Sequence, residues 1–212
     1  CVACESNISS QQNFLCFTCL HQLPYTEMER GESAEAHIRL LTKLPLVKAA
    51  ALCYFVEEGI LRNVMHALKY QNQPDLGIFL GEMLAERFAL YNWFDGIDAI
   101  MPVPLHWSKQ QLRGYNQSEM IAQGISAVTN IPVCNDILIR NRKTASQTTM
   151  SRAERESNVK DAFELRDPGE LEGQHILLVD DVLTTGATIA ACGKALRGAK
   201  CNISVATLAI AQ

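Results

Sequence analysis

Apolar positions fall along this chain in short unbroken runs that alternate with helical stripes. Residues 49–56, 97–103, 137–140, 176–179 and 202–208 read as strands, the run 176–179 as a strand buried on both faces. Between them the spacing turns helical. Ile60, Leu61, Val64 and Leu68 repeat at three and four residues within 57–70, and Leu76, Phe79, Leu80, Met83 and Leu84 do so within 76–90. Asn116 with Glu119 three residues on forms a capping-box pattern for a helix over 117–128. A helix over 187–196 follows the strand 176–179. Ser33 is placed to cap a short helix that ends near Leu41 before Pro45. Strands alternating with helices over 49–212 predict an α/β domain with a mostly parallel sheet flanked by helices.

The most informative stretch runs from His175 to Thr188. Four apolar residues lead into Asp180 and Asp181, then a small hydroxyl-rich turn, Thr184-Thr185-Gly186-Ala187-Thr188, opens the next helix. Ligands of open parallel sheets sit at the carboxyl ends of the strands. There the free N–H groups and dipole of a helix start favour an anion. The threonines add hydroxyl donors, and Gly186 permits the tight turn. Ionised Asp180 and Asp181 only accept hydrogen bonds, so sugar hydroxyls are their natural partners. A phosphate cup beside two hydroxyl-accepting acids describes a ribose 5-phosphate site. A nucleotide-hydrolysing strand end would need an upstream G-x-x-x-x-G-K-[ST] loop, which is absent; Gly193-Lys194 is followed by Ala195.

Composition changes this picture little. In 212 residues, 48% hydrophobic, there is room for one main domain and a small module, and no apolar run reaches membrane-spanning length. A net charge of −4 argues against coating nucleic acid by bulk charge. Cysteine usage adds more. Cys1, Cys4, Cys16 and Cys19 form C-x2-C-x11-C-x2-C, the spacing of a closed tetrahedral zinc site that folds a segment rather than performing chemistry. His21 is a spare ligand. The alternative is disulfides in a secreted protein. It leaves Cys53, Cys134, Cys192 and Cys201 standing singly, which fits buried thiols in a reduced, cytoplasmic compartment better. The expected organisation is a zinc module over 1–24, a linker and helix over 25–48, and the α/β domain over 49–212. Glu27 to Glu32 reads as a charged, exposed linker.

Several polar residues carry two readings each. Lys69 sits at a helix end, where a cation simply suits the dipole, or it reaches a ligand. Pro102 and Pro104 stiffen a strand exit before His106-Trp107, and His106 is either packed on Trp107 or a donor to substrate. Arg113 lies in a loop before a helix start, as a surface arginine or as a pyrophosphate ligand. Between Arg140 and Lys160 six basic residues face two acidic ones. An acidic chain that gathers positive charge in one long loop points it at an anion or holds it as a lid; a solvated loop is the plainer alternative.

The run of four apolar residues, Asp180-Asp181, two apolar residues and Thr-Thr-Gly-x-Thr resembles the PRPP-binding signature of type I phosphoribosyltransferases. End to end, the chain resembles the ComF family of competence-associated proteins. The four-cysteine module, Leu68-Lys69-Tyr70, Pro102-Val103-Pro104, Arg113-Gly114-Tyr115-Asn116-Gln117-Ser118, Arg142 with Gln147, Ser151-Arg152, Arg155 and Asn158, and Ala162-Phe163 stand in family order. The resemblance implies a type I phosphoribosyltransferase-like sheet with a small N-terminal Cys4 zinc module. It implies that Asp180 and Asp181 bind ribose hydroxyls, and that Thr184, Thr185, Gly186, Ala187 and Thr188 bind the 5-phosphate. His106, Arg113 and Lys69 would join the PRPP site. Arg142 and Lys143, on a lid over 142–155, would act with the two aspartates in catalysis, and Mg2+ would ride on PRPP. A role in DNA uptake follows, with single-stranded DNA and competence-machinery proteins as partners and no membrane insertion. The basic loop and the aromatics Phe14, Phe17, Tyr25 and Tyr115 are candidates for stacking on single strands, unless those rings pack the core. A metabolic phosphoribosyltransferase with an unknown acceptor, or a PRPP-sensing adaptor without catalysis, fits the same residues.

Overall fold

A computed structural model describes residues 1–9, 13–31, 33–140 and 162–212. In chain order the helices are α1 (Phe17–His21), α2 (Glu35–Leu41), α3 (Ile60–Tyr70), α4 (Pro74–Ala89), α5 (Trp107–Arg113), α6 (Gln117–Thr129) and α7 (Ala187–Leu196). The strands are β1 (Lys48–Phe55), β2 (Ala99–Pro102), β3 (Leu138–Arg140), β4 (Phe163–Leu165), β5 (His175–Leu183) and β6 (Asn202–Ala211).

Four strands form a parallel sheet in the order β1-β6-β5-β2. The central pair has the near-continuous apolar runs that two-sided burial requires, and Ile176 to Val179 are fully enclosed. Strand β5 outlasts its run of four apolar residues. Asp180 pairs with Thr207, Val182 with Ala209 and Leu183 with Ile210, because a paired backbone needs no apolar side chain to continue. Strand β2 instead ends at Pro102, whose ring has no N–H to give the ladder. Its last tie is the Val103 N–H to the Val179 carbonyl, 2.9 Å, so the proline-stiffened exit loop leaves the sheet beside Asp180.

Helix α6 covers β2 and β5 and crosses α4 at close range. A Cβ on Gly124 would stand 2.1 Å from the Ile78 carbonyl oxygen, and one on Gly81 2.2 Å from that of Ile121, so only glycine fits either position. Strands β3 and β4 pair as a separate antiparallel ribbon, Arg140 opposite Phe163. The stretch 141–161, with Arg142, Lys143 and the expected lid, lies outside the described residues. Among the described residues no helix is long and apolar enough to cross a membrane.

The cysteine segment docks on the sheet domain. The Asn63 amide donates to the Ala3 carbonyl (2.8 Å), Phe14 packs on Phe79 (ring centroids 5.7 Å apart), and Leu15 is fully buried. Residues 24–26 then run antiparallel along β1. Tyr25 bridges Cys53, Tyr54 N–H donates to the Pro24 carbonyl (2.7 Å) and Thr26 N–H to that of Leu52 (3.1 Å). This covers an otherwise open sheet edge.

The next segment departs from the expected exposed linker. Glu29 has no exposed side-chain surface, and its carboxylate lies 2.6 Å from Arg87 Nε. Arg87 Nη2 also reaches Glu27 at 2.6 Å, and its guanidinium stacks 4.2 Å from the Tyr25 ring centroid. The partner comes from α4, so local charge content alone could not reveal this burial. Removing it strands a buried carboxylate, which costs about 3–5 kcal/mol. Arg87→Ala should therefore lower the calorimetric melting midpoint by about 10 °C, with Arg87→Lys intermediate. A midpoint unchanged in Arg87→Ala would mean that the pair does not hold the linker down.

Candidate functional site

At the carboxyl end of β5 two carboxylates meet partners from two helices. Asp180 Oδ1 accepts from Ser118 Oγ on α6 (3.0 Å) and from the Asp181 N–H (2.9 Å). Asp181 Oδ2 lies 3.1 Å from Lys69 Nζ at the end of α3. Burial, reinforced by the neighbouring Asp181 charge, pushes the Asp180 carboxyl up to about 7. The two acids thus differ: Asp181 has its own cation, whereas Asp180 is held by neutral donors and stays close to protonation at neutral pH.

The turn that follows has the conformation a helix-start anion site needs. Gly186 adopts φ +77, and as N-cap of α7 it offers no side chain to the first amides. Thr184 and Thr185 are exposed, and Thr185 Oγ1 accepts from the Ala187 N–H at 3.4 Å. Thr188 is half-buried in the first turn of α7.

Asn116 does cap α6. Its Oδ1 accepts from the Ser118 N–H (3.2 Å), and its amide holds the Val103 carbonyl (3.0 Å), tying the proline exit loop to the helix that presents Ser118. The reciprocal half of the capping box is replaced: Glu119 accepts from Asn135 instead (3.2 Å). Tyr115 is buried and donates its hydroxyl to the Leu68 carbonyl, which fixes the end of α3 that carries Lys69.

Arg113 does not lie in a loop; it ends α5, donates to Gln117 Oε1 (2.6 Å) and stands 5.4 Å from the Tyr70 ring centroid. His106 caps the same helix, its Nδ1 3.3 Å from the Ser108 N–H, 2.7 Å from Ser108 Oγ, and its ring 6.0 Å from Trp107. Burial, with Arg140 and Lys109 nearby, lowers its pKa, so it accepts from that N–H as a neutral ring. Of the suggested stacking aromatics, Phe17 is 72% exposed, whereas Phe14 packs on Phe79, Tyr25 under Arg87 and Tyr115 in the core.

Two cavities open at this end of the sheet. One, of about 690 Å3, lies between the exit loop of β2 and the β3 strand, and is lined by Pro104, Trp107, Asn116, Glu119 and Arg140. Arg140 stands 5.3 Å from the Phe163 ring centroid and makes no ion pair among the described residues. The second, of about 730 Å3, is lined by Met65, His66, Lys69, Tyr70, Val182 and Thr184, and so adjoins both the Lys69–Asp181 pair and the threonine turn. The sequence pattern singles out neither Ser118 nor Arg140 for a role; the signal for Ser118 is its place at the end of the Arg113-to-Ser118 motif, and for Arg140 its place at the head of the basic stretch.

The other cluster is the cysteine set. The four sulfurs of Cys1, Cys4, Cys16 and Cys19 all lie within 4.8 Å of one another, and Cys4 and Cys16 are 3.8 Å apart. Four thiolates around one ion at about 2.3 Å place sulfurs about 3.8 Å apart, so the cluster could hold a metal ion. Hydrogen bonding from Ser6 lowers the Cys4 thiol to about 7, while burial pushes Cys19 up to about 12. The backbone presents two of the sulfurs: Cys16 N–H donates to Cys1 Sγ and Cys19 N–H to Cys16 Sγ, both at 3.4 Å.

Residues 116–211, which contain Ser118, both aspartates and the threonine turn, match the phosphoribosyl transferase domain family. Beyond that domain, the chain is 32% identical over 208 residues to "Competence protein F" of Haemophilus influenzae, spanning 93% of this chain and 90% of the relative. The chain belongs to the ComF family. A second relative, "DNA utilization protein YhgH" of Escherichia coli K12, is 32% identical over 133 residues, 61% of this chain and 58% of its own length. "Competence protein ComFC" of Bacillus subtilis is 28% identical over 111 residues, 51% of this chain and 43% of the relative.

Proposed function

We propose that this ComF protein binds PRPP at the carboxyl end of β5 and acts in the handling of incoming DNA. One observation carries the PRPP reading: two adjacent carboxylates, oriented by Ser118 and Lys69, stand next to an α7 start whose N-cap is a glycine. Asp180 and Asp181 would accept from the two ribose hydroxyls. The amides and hydroxyls of residues 184–188 would hold the 5-phosphate. Arg140, which feels the Asp180 charge and lines the cavity beside the β2 exit loop, would face the pyrophosphate. A magnesium ion carried by PRPP supplies charge neutralisation to the pyrophosphate, with few protein ligands. Transfer would break the bond from the anomeric carbon to pyrophosphate and form one to an acceptor, and this chain would contribute positioning and charge stabilisation. The cavity beside Lys69 and Thr184 would leave room for such an acceptor.

Zinc is the ion we assign to the cysteine cluster, because four thiolates in a closed set suit it. The remaining free thiols fit a reducing, cytoplasmic setting. The DNA part rests on the names borne by the relatives and on the basic stretch between Arg140 and Lys160. Single-stranded DNA is the expected contact. Replacing Arg142, Lys143 and Arg152 by glutamine should weaken single-stranded DNA binding, and should reduce the slope of log affinity against log salt by about two to three. Binding with an unchanged slope would remove this loop from the interface.

A further inference from the structure

Helix α2 and the turn after it grip the threonine turn from behind. Arg39 Nη1 donates to the Thr184 carbonyl (3.1 Å) and to the Ala211 carbonyl (2.5 Å). Lys43 Nζ donates to the Thr185 carbonyl. Leu40, fully buried, fills the space where a Gly186 side chain would begin: a Cβ there would stand 2.6 Å from Leu40 Cδ2. Arg39 and Leu40 lie in α2 and Lys43 in the turn that follows it, and Glu35 one turn before Arg39 holds its Nη2 at 2.5 Å.

In a trans peptide the carbonyl and the following N–H point in opposite directions. Carbonyls of Thr184 and Thr185 that are turned toward α2 therefore turn the N–H groups of Thr185 and Gly186 away from it. A cation on the carbonyl also polarises the peptide and strengthens its N–H as a donor. We infer that Arg39 and Lys43 are positioning residues for the ligand's phosphoryl group, acting through the loop backbone rather than by touching the ligand. The inference rests on reading the turn as the 5-phosphate cup. It makes α2, a linker helix upstream of the sheet domain, a working part of that cup.

The test is calorimetric titration of ribose 5-phosphate, Mg-PRPP and Mg-pyrophosphate into the full chain and its variants. Arg39→Ala with Lys43→Ala should weaken ribose 5-phosphate and PRPP by the same factor, about tenfold, and leave pyrophosphate unchanged. Arg39→Lys with Lys43→Arg should restore most of the loss. Lys43→Ala alone, at an exposed position, should show part of the same split and serves if the double variant fails to fold. Unchanged sugar-phosphate affinity, or a loss shared equally by pyrophosphate, overturns the inference. Failure of the cup reading itself would appear earlier, as an unsubstituted protein that binds neither sugar phosphate.

Discussion

Asp180→Asn combined with Asp181→Asn should abolish measurable PRPP binding and leave the fold intact. Each carboxylate is expected to accept a charge-assisted hydrogen bond from a ribose hydroxyl, worth about 1.5–3 kcal/mol, so losing both costs a hundredfold or more in affinity. The fold should tolerate the change because Asp180 is a strained position for a charge. Burial and Asp181 hold its carboxyl near 7, against an ordinary 3.8. A carboxyl raised in the folded state takes up protons on folding between about pH 4 and 7, so it lowers stability progressively as pH rises through that window and not above it. Asp180→Asn should flatten this decline. Ligand affinity should run the other way. The ionised carboxylate is the acceptor, so PRPP affinity should climb as pH rises toward and past 7, then level off, and the single Asp180→Asn variant should lose that step. Titration calorimetry across pH on both proteins measures it. Undiminished affinity in the double variant would remove the aspartates from the site.

Cys16→Ser should release the metal and unfold the first segment selectively. Cys16 has two duties: its sulfur accepts the Cys19 N–H at the start of α1, and it stands 3.8 Å from Cys4. Structural zinc in small thiolate sites contributes roughly 10–16 kcal/mol to folding of the segment it holds, far more than the contacts of Ala3, Phe14 and Leu15 with the domain are expected to replace. Elemental analysis should fall from one zinc per chain to well below one, and limited proteolysis should trim the residues before the β1-covering segment while the sheet domain survives. A pure unsubstituted protein without zinc would contradict the assignment directly.

The parts of this protein that are legible in its sequence are those whose physics is local. The strand ending in two acids, the glycine turn and the following helix need only neighbouring residues, and so does a pair of C-x-x-C knuckles. The parts that are not legible depend on partners far along the chain. Glu29 looks like a linker charge until Arg87, 58 residues on, neutralises it. Arg39 and Lys43 look like surface cations of a short helix and its exit turn, yet they serve carbonyls 145 and 142 residues away. Helix α5 escapes the pattern because its seven residues bury nothing and its cap is a histidine rather than a serine or aspartate. That shift also moves Arg113 from a loop to a helix end, where Gln117 and Tyr70 occupy it. Lys69 shows the opposite case: its helix-end position satisfied the dipole argument, and the same geometry brings it to Asp181.

Titration of Mg-PRPP into the purified, zinc-loaded protein, alone and with single-stranded DNA present, tests the central claim most directly. The predicted result is saturable binding of one PRPP per chain, with an affinity that the DNA shifts; PRPP should then shift the affinity for DNA by the same factor. Saturable binding indifferent to DNA would keep the site and contradict its link to DNA handling. An absence of PRPP binding would contradict the account at its root, leaving the carboxylate pair and the threonine turn without the ligand their geometry was taken to fit.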